Sequence, residues 1–122
     1  MNKHKALGGK KLVDAIILIL QEKKAEEIVI IDLHAGHGTS DFFIICQADN
    51  TAHTHAIAED VIKSLKTYHT YPWHQEGLED GRWILIDYTD VVVHIMLPEL
   101  RSYYDLESLW SEGEISKIPS QS

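Results

Sequence analysis

Residues 82–98, Arg82-Trp83-Ile84-Leu85-Ile86-Asp87-Tyr88-Thr89-Asp90-Val91-Val92-Val93-His94-Ile95-Met96-Leu97-Pro98, carry two apolar runs, Trp83 to Ile86 and Val91 to Leu97, around a polar link. β-Branched and aromatic residues at that spacing, with Asp at both edges of a tight link, read as a hairpin. The second run does not alternate, so both its faces are expected to be buried, as in a strand inside a sheet. Pro98 ends it, and the aromatic-rich stretch 99–110 reads as a helix, with Tyr104, Leu109 and Trp110 as core closing the sheet. The whole of 82–110 holds no nucleophile, phosphate loop or metal cage. Packing and surface aromatics are its distinctive content, which points to a binder and away from a catalyst.

Upstream, Leu12, Val13, Ile16, Ile17 and Leu20 fall at helical spacing and predict an amphipathic helix over about 10–24. The apolar run Ile28 to Leu33 has strand length, a glycine-rich loop 34–40 follows, and Phe42 to Cys46 reads as a second strand. Asp49 or Asn50 can cap a helix over about 51–67, with Ile57, Ala58, Val61, Ile62 and Leu65 on its buried stripe. Residues 68–82 are polar and irregular, with a short extended piece near 73–76. Strands interleaved with helices give a mixed α/β sheet in the order α-β-β-α-β-β-α.

The chain has 122 residues, 44% of them hydrophobic and 25% charged, the balance of an ordinary globular protein. One domain is expected over 1–110, and the tail 111–122, which lacks periodicity, is expected to be frayed. The apolar runs fall far short of the ~20 residues that span a bilayer. The first nine residues have no apolar core, so they are not read as a secretory signal. The single Cys46 reads as a buried thiol, and a reducing cytoplasm fits these features.

The charge is −8, with 11 Lys plus Arg against 19 Asp plus Glu, both signs being spread along the chain. Nucleic-acid binders present a basic face that releases counterions from phosphates, and no such face is legible here. An acidic domain is instead attracted to a basic protein partner.

Two chemical readings compete with binding. The segment Gly36-His37-Gly38-Thr39-Ser40-Asp41 is the nearest approach to a nucleotide loop, but it has one carboxylate and runs into a strand, without the amide donors of a helix start. A zinc site would draw on His34, His37, Asp41 and His53. Against it, the His-x-x-His pair lies in a glycine loop, and His53 and His55 point to different faces of their helix, so these histidines read as solvent-exposed. His94, inside the valine-rich strand, reads as a core histidine. No catalytic residue, metal ligand or cofactor is assigned.

The remaining candidates are Trp83, which opens a strand, and Tyr88, which is expected to project from the hairpin turn between Asp87 and Asp90. An aromatic between two acids suits a basic partner surface.

The strings Trp83-Ile84-Leu85-Ile86-Asp87-Tyr88, Asp90-Val91-Val92-Val93-His94 and Arg101-x-x-Tyr104-Asp105-Leu106-Glu107-x-Leu109-Trp110 resemble the signature of the ribosomal silencing factor (Iojap) family. Ser40-Asp41-Phe42-Phe43-Ile44-Ile45-Cys46 resembles that family's Ser-Asp-Tyr-Phe-Val-Ile-Cys strand. Ala56-Ile57-Ala58-Glu59-Asp60-Val61 resembles its central helix, and Glu76-Gly77 the Glu-Gly ahead of its hairpin. The pieces are collinear over roughly 10–110. The resemblance implies a small mixed sheet with packed helices, nucleotidyltransferase-like in outline but without that active site. It implies binding to large-subunit ribosomal protein fourteen at the intersubunit face, with little direct RNA contact, and a steric block to subunit joining. Trp83 and Tyr88 match positions of the gripping surface, and Asp87, Asp90 and Glu76 are taken as its acidic surround. The oligomeric state is left as monomer or weak homodimer. Two readings from other classes stay open: a nucleotide- or metal-dependent transferase on the Gly36–Asp41 loop, and an acidic protein–protein adaptor.

Overall fold

Helix α1 (Gly9–Glu22) buries Leu12, Val13, Ile16, Ile19 and Leu20, the stripe that the helical spacing predicts. The structure, a computed structural model, describes residues 6–33, 41–110 and 113–119. Helix α1 stops two residues short of the predicted end because Lys24 takes a left-handed conformation, φ 63°. Strand β1 (Glu26–Asp32) returns antiparallel to β2 (Phe42–Gln47). Helix α2 (Thr51–Lys66) starts at Asn50, whose side-chain oxygen accepts the His53 N–H at 2.8 Å. Three further strands follow, β3 (His74–Glu76), β4 (Trp83–Asp87) and β5 (Val91–Met96).

The predicted C-terminal helix is two helices, α3 (Pro98–Tyr104) and α4 (Leu106–Leu109). Asp105 separates them with φ 47° and ψ 58°, and its carboxylate accepts the Ser108 hydroxyl at 2.7 Å. The expected frayed tail is also corrected. Residues Glu114–Lys117 form β6, which pairs antiparallel with β1 from Val29 to Asp32. A segment this polar lacks a one-sided apolar pattern, yet it can lie along a sheet edge because the ladder uses backbone groups. Gly113 admits this return, since a Cβ there would sit 2.7 Å from Ile31 Cγ2.

The sheet order is β3-β4-β5-β2-β1-β6, with β2 and β5 parallel and every other pair antiparallel. All six residues of β5 are buried, as the unbroken apolar run requires of an interior strand. Helices α1 and α2 cover one face, where Phe42, Ile44, Cys46, Ile84, Ile86, Val91, Val93 and Ile95 pack with both helices. The other face carries Val29, Ile31, Ile45 and Met96, closed by Leu106, with Phe43, Trp83, Leu100 and Trp110 packed at its margin. Cys46 is a buried free thiol, and desolvation pushes its pKa up to about 12, which makes it inert. Among the described residues no helix is long and apolar enough to cross a membrane.

Candidate partner-binding site

Side chains alternate across a strand, so Trp83, Leu85 and Asp87 of β4 share one face while Ile84 and Ile86 share the other. The face holding Trp83 is the one that only the short α3–α4 corner covers. Trp83 is half-buried there, and its indole Nε1–H donates to Nδ1 of His94 at 3.1 Å. A chain of rings extends from this pair. Trp83 and Tyr104 stand 4.9 Å apart between centroids, and Tyr104 meets Tyr103 edge-on at 5.0 Å. In the other direction His94 neighbours Phe43 at 5.2 Å, and Phe43 meets Trp110 edge-on at 5.1 Å.

The outer members of this chain are open to solvent. Tyr103 is 80% exposed, Tyr104 49% and Leu109 69%. This corrects the expectation that Tyr104 and Leu109 close the core; Trp110 is partly buried against it. The break at Asp105 turns α4 away from the axis of α3, so the 99–110 stretch offers more than one helical stripe. Arg101 fixes the corner. Its guanidinium binds Glu107 at 2.7 Å, the Glu27 carbonyl at 2.5 Å and Gln47 Oε1 at 3.3 Å.

His94 is the core histidine that its strand context predicts, 5% exposed. Burial lowers its pKa to about 4, so the ring is neutral near pH 7. Because Nδ1 accepts the indole proton, the ring's own proton sits on Nε2. That Nε2 has no hydrogen-bond partner among the described residues.

Two of the expected acids lie on the same face. The register pairs Asp87 with His74 and Leu85 with Glu76, which brings both carboxylates to the β3–β4 margin of the face that holds Trp83. Asp87 Oδ1 accepts the Thr89 N–H at 2.7 Å, and the exposed Glu76 carboxylate meets His74 Nε2 at 2.7 Å. Gly77 makes this turn possible: its φ is 79°, and a Cβ there would lie 2.0 Å from the Trp83 carbonyl oxygen.

Tyr88 and Asp90 are corrections. Tyr88 continues the Ile84–Ile86 series and is 7% exposed within the helix-covered core. Its hydroxyl has no partner among the described residues, and burial raises the phenol's pKa well above its ordinary value. The alternation that starts at Trp83 carries this signal, since it runs on through the turn residue. Asp90 caps α1: its Oδ2 accepts the Gly9 N–H at 3.1 Å, where a carboxylate complements the helix start. The Asp90 carbonyl also accepts the Asp41 and Phe42 N–H groups.

The histidines expected to be solvent-exposed on α2 are half-buried and engaged with backbone. His53 Nε2 lies 2.7 Å from the Lys23 carbonyl, and the His55 ring bridges the carbonyls of Thr51 and Leu78. His34, His37 and the glycine loop up to Ser40 lie outside the described residues. Among the described residues no group of three or more His, Cys, Asp or Glu is placed to hold a metal ion.

Residues 8–122 match the family described as "Ribosomal silencing factor during starvation". The chain is 33% identical over 107 residues to ribosomal silencing factor RsfS of Halalkalibacterium halodurans, covering 88% of this chain and 92% of that protein. It is 31% identical over 108 residues to the mouse protein "Mitochondrial assembly of ribosomal large subunit protein 1", covering 86% of this chain and 47% of the relative. A crystal structure of a Chromobacterium violaceum protein superimposes with TM-score 0.83 at 32% identity, covering 93% of this chain and 92% of the other. This chain belongs to the ribosomal silencing factor family.

Proposed function

We infer that this protein represses translation by docking the aromatic face of its sheet on the large ribosomal subunit. Its expected contact is basic protein fourteen on the intersubunit side. A domain seated there occupies ground that the small subunit needs, so joining is blocked sterically. The observation that carries the reading is the ring chain Trp83–Tyr104–Tyr103, left partly open on the sheet face that also carries Asp87 and Glu76. Interface anchors are enriched in Trp and Tyr, and carboxylates at the margin complement a basic partner. The mouse relative's name, which speaks of large-subunit assembly, points to the same half of the ribosome. The net charge of −8 favours a protein contact over rRNA.

The reading needs no cofactor and no chemical step, and it places the protein with cytoplasmic ribosomes as a regulator and not an enzyme. Its site is narrower than the sequence implied. Trp83, Asp87 and Glu76 stay as partner-facing residues, while Tyr88 and Asp90 serve the fold.

Co-sedimentation with isolated large and small subunits tests it. The wild-type protein should pellet with the large subunit alone and lower the yield of joined ribosomes. Trp83→Ala should weaken that binding by about 2 kcal/mol, as loss of a buried anchor does. No pelleting with either subunit at low salt would sink the reading and favour an adaptor with another basic partner.

A further inference from the structure

We propose that His94 is a positioning residue for the ribosome-facing surface, its Nδ1 holding the Trp83 indole in the orientation that the partner meets. The proposal rests on the docking reading above. Its starting point is an incongruity inside β5. Five of the six residues of that strand are Val, Ile or Met, and every one of the six is buried. A branched aliphatic side chain at position 94 would satisfy such a site. Histidine instead brings two ring nitrogens out of water, and among the described residues only one finds a partner. A buried polar group left unpaired works against folding, so stability alone does not account for this residue.

The one bond it does make reaches across the sheet to Trp83, 3.1 Å from Nε1 to Nδ1. The indole sits at the boundary between core and solvent, where a large flat side chain can swing about two torsions. One fixed acceptor on a rigid interior strand removes that freedom. Phe43 packs on the imidazole from the next strand, so the ring does not turn to follow the indole. Tyr104 then packs at a tilt against an indole whose plane is already set. A surface ordered before contact loses less side-chain freedom on binding. Neutral His94 is an acceptor at Nδ1 only while Nε2 keeps the proton, and burial maintains that state near pH 7.

The test separates positioning from packing with two substitutions. His94→Leu fills the site with apolar volume and offers no acceptor. His94→Asn places a carbonyl oxygen near the former Nδ1 but packs less well. Affinity for purified large subunits, melting temperature and the Trp83 indole N–H signal in ¹⁵N NMR are measured on the full chain, the signal being assigned by its loss in Trp83→Phe. Positioning predicts that His94→Leu melts at or above the wild-type temperature yet binds at least tenfold more weakly, with the indole signal shifted and exchanging faster. His94→Asn should melt lower but recover most of the affinity and the indole signal. Affinities that follow melting temperature in both variants, or wild-type binding by His94→Leu, would overturn the proposal. Trp83→Ala, run alongside, separates the two ideas. Weakened binding there with unimpaired His94→Leu removes the positioning role alone, whereas wild-type binding by Trp83→Ala removes the docking face and the positioning role with it.

Discussion

The two faces of the sheet are built from the same strands and end up as different materials. One is sealed by α1 and α2, and its Ile44, Ile84, Ile86, Val93 and Ile95 are fully buried. The other has only α3 and α4, seven and four residues long, over part of its width. Aliphatics dominate the sealed face, where Phe42 and Tyr88 are the buried rings, and along the uncovered margin of the other face aromatics replace them. The difference is physical. A two-helix cover excludes water from both sides of a methyl group, whereas Trp, Tyr and His tolerate an interface with one side wet. In the docking reading proposed above, these half-wet rings are what the partner meets. The lesson is that a small domain divides its labour by sheet face, and each residue's role follows from its parity along the strand.

The sharpest test of that division lies in the sealed face. Ile95→Ala should lower folding stability by about 4 kcal/mol through lost transfer energy and a residual cavity, read by urea denaturation. Whatever fraction stays folded should still bind large subunits with wild-type affinity. A loss of binding in that folded fraction would mean that the faces are not independent.

Acid comes next. Burial lowers His94 from 6.5 to about 4, so between those values the unfolded chain takes up a proton that the native state refuses. Its contribution to stability is therefore complete above the upper value and lost as the pH falls toward the lower one, a drop of roughly 3 kcal/mol. His94→Leu should lack this component, so the difference between the two pH profiles isolates it from the carboxylates. Parallel profiles would show that position 94 is open to water.

Tyr88 gives a smaller effect of opposite sign. Its buried hydroxyl is unpartnered among the described residues, so Tyr88→Phe should leave stability unchanged or raise it by up to about 1 kcal/mol. Subunit binding should not change. Weakened binding with intact folding would return Tyr88 to the interface. Smallest of all is Glu76→Gln, where a margin charge should alter association rate and salt dependence and shift affinity by less than about 1 kcal/mol. An equilibrium loss that persists at high salt would instead make Glu76 an anchor.

The hairpin, the interior β5, both long helices and the acidic character are legible in the sequence because each depends on local periodicity or composition. So are the place of Trp83 at the start of β4 and the core placement of His94. A turn position predicts an outward Tyr88, but the two-residue alternation from Trp83 continues through it and carries the ring into the core. Asp90 looks like a surface acid in the sequence because its partner, the Gly9 amide, is remote along the chain and recognisable only in the fold. The same holds for β6, whose backbone bonds to β1 require no side-chain pattern. Pattern and charge by themselves thus determined what kind of domain this is and which strand lies at its centre. Only the tertiary structure decided which face is left half covered, which acids share it with Trp83, and that Tyr103 and Tyr104 extend it. Periodicity says which side chains share a face, but which face a helix seals is set by contacts between segments far apart in the chain.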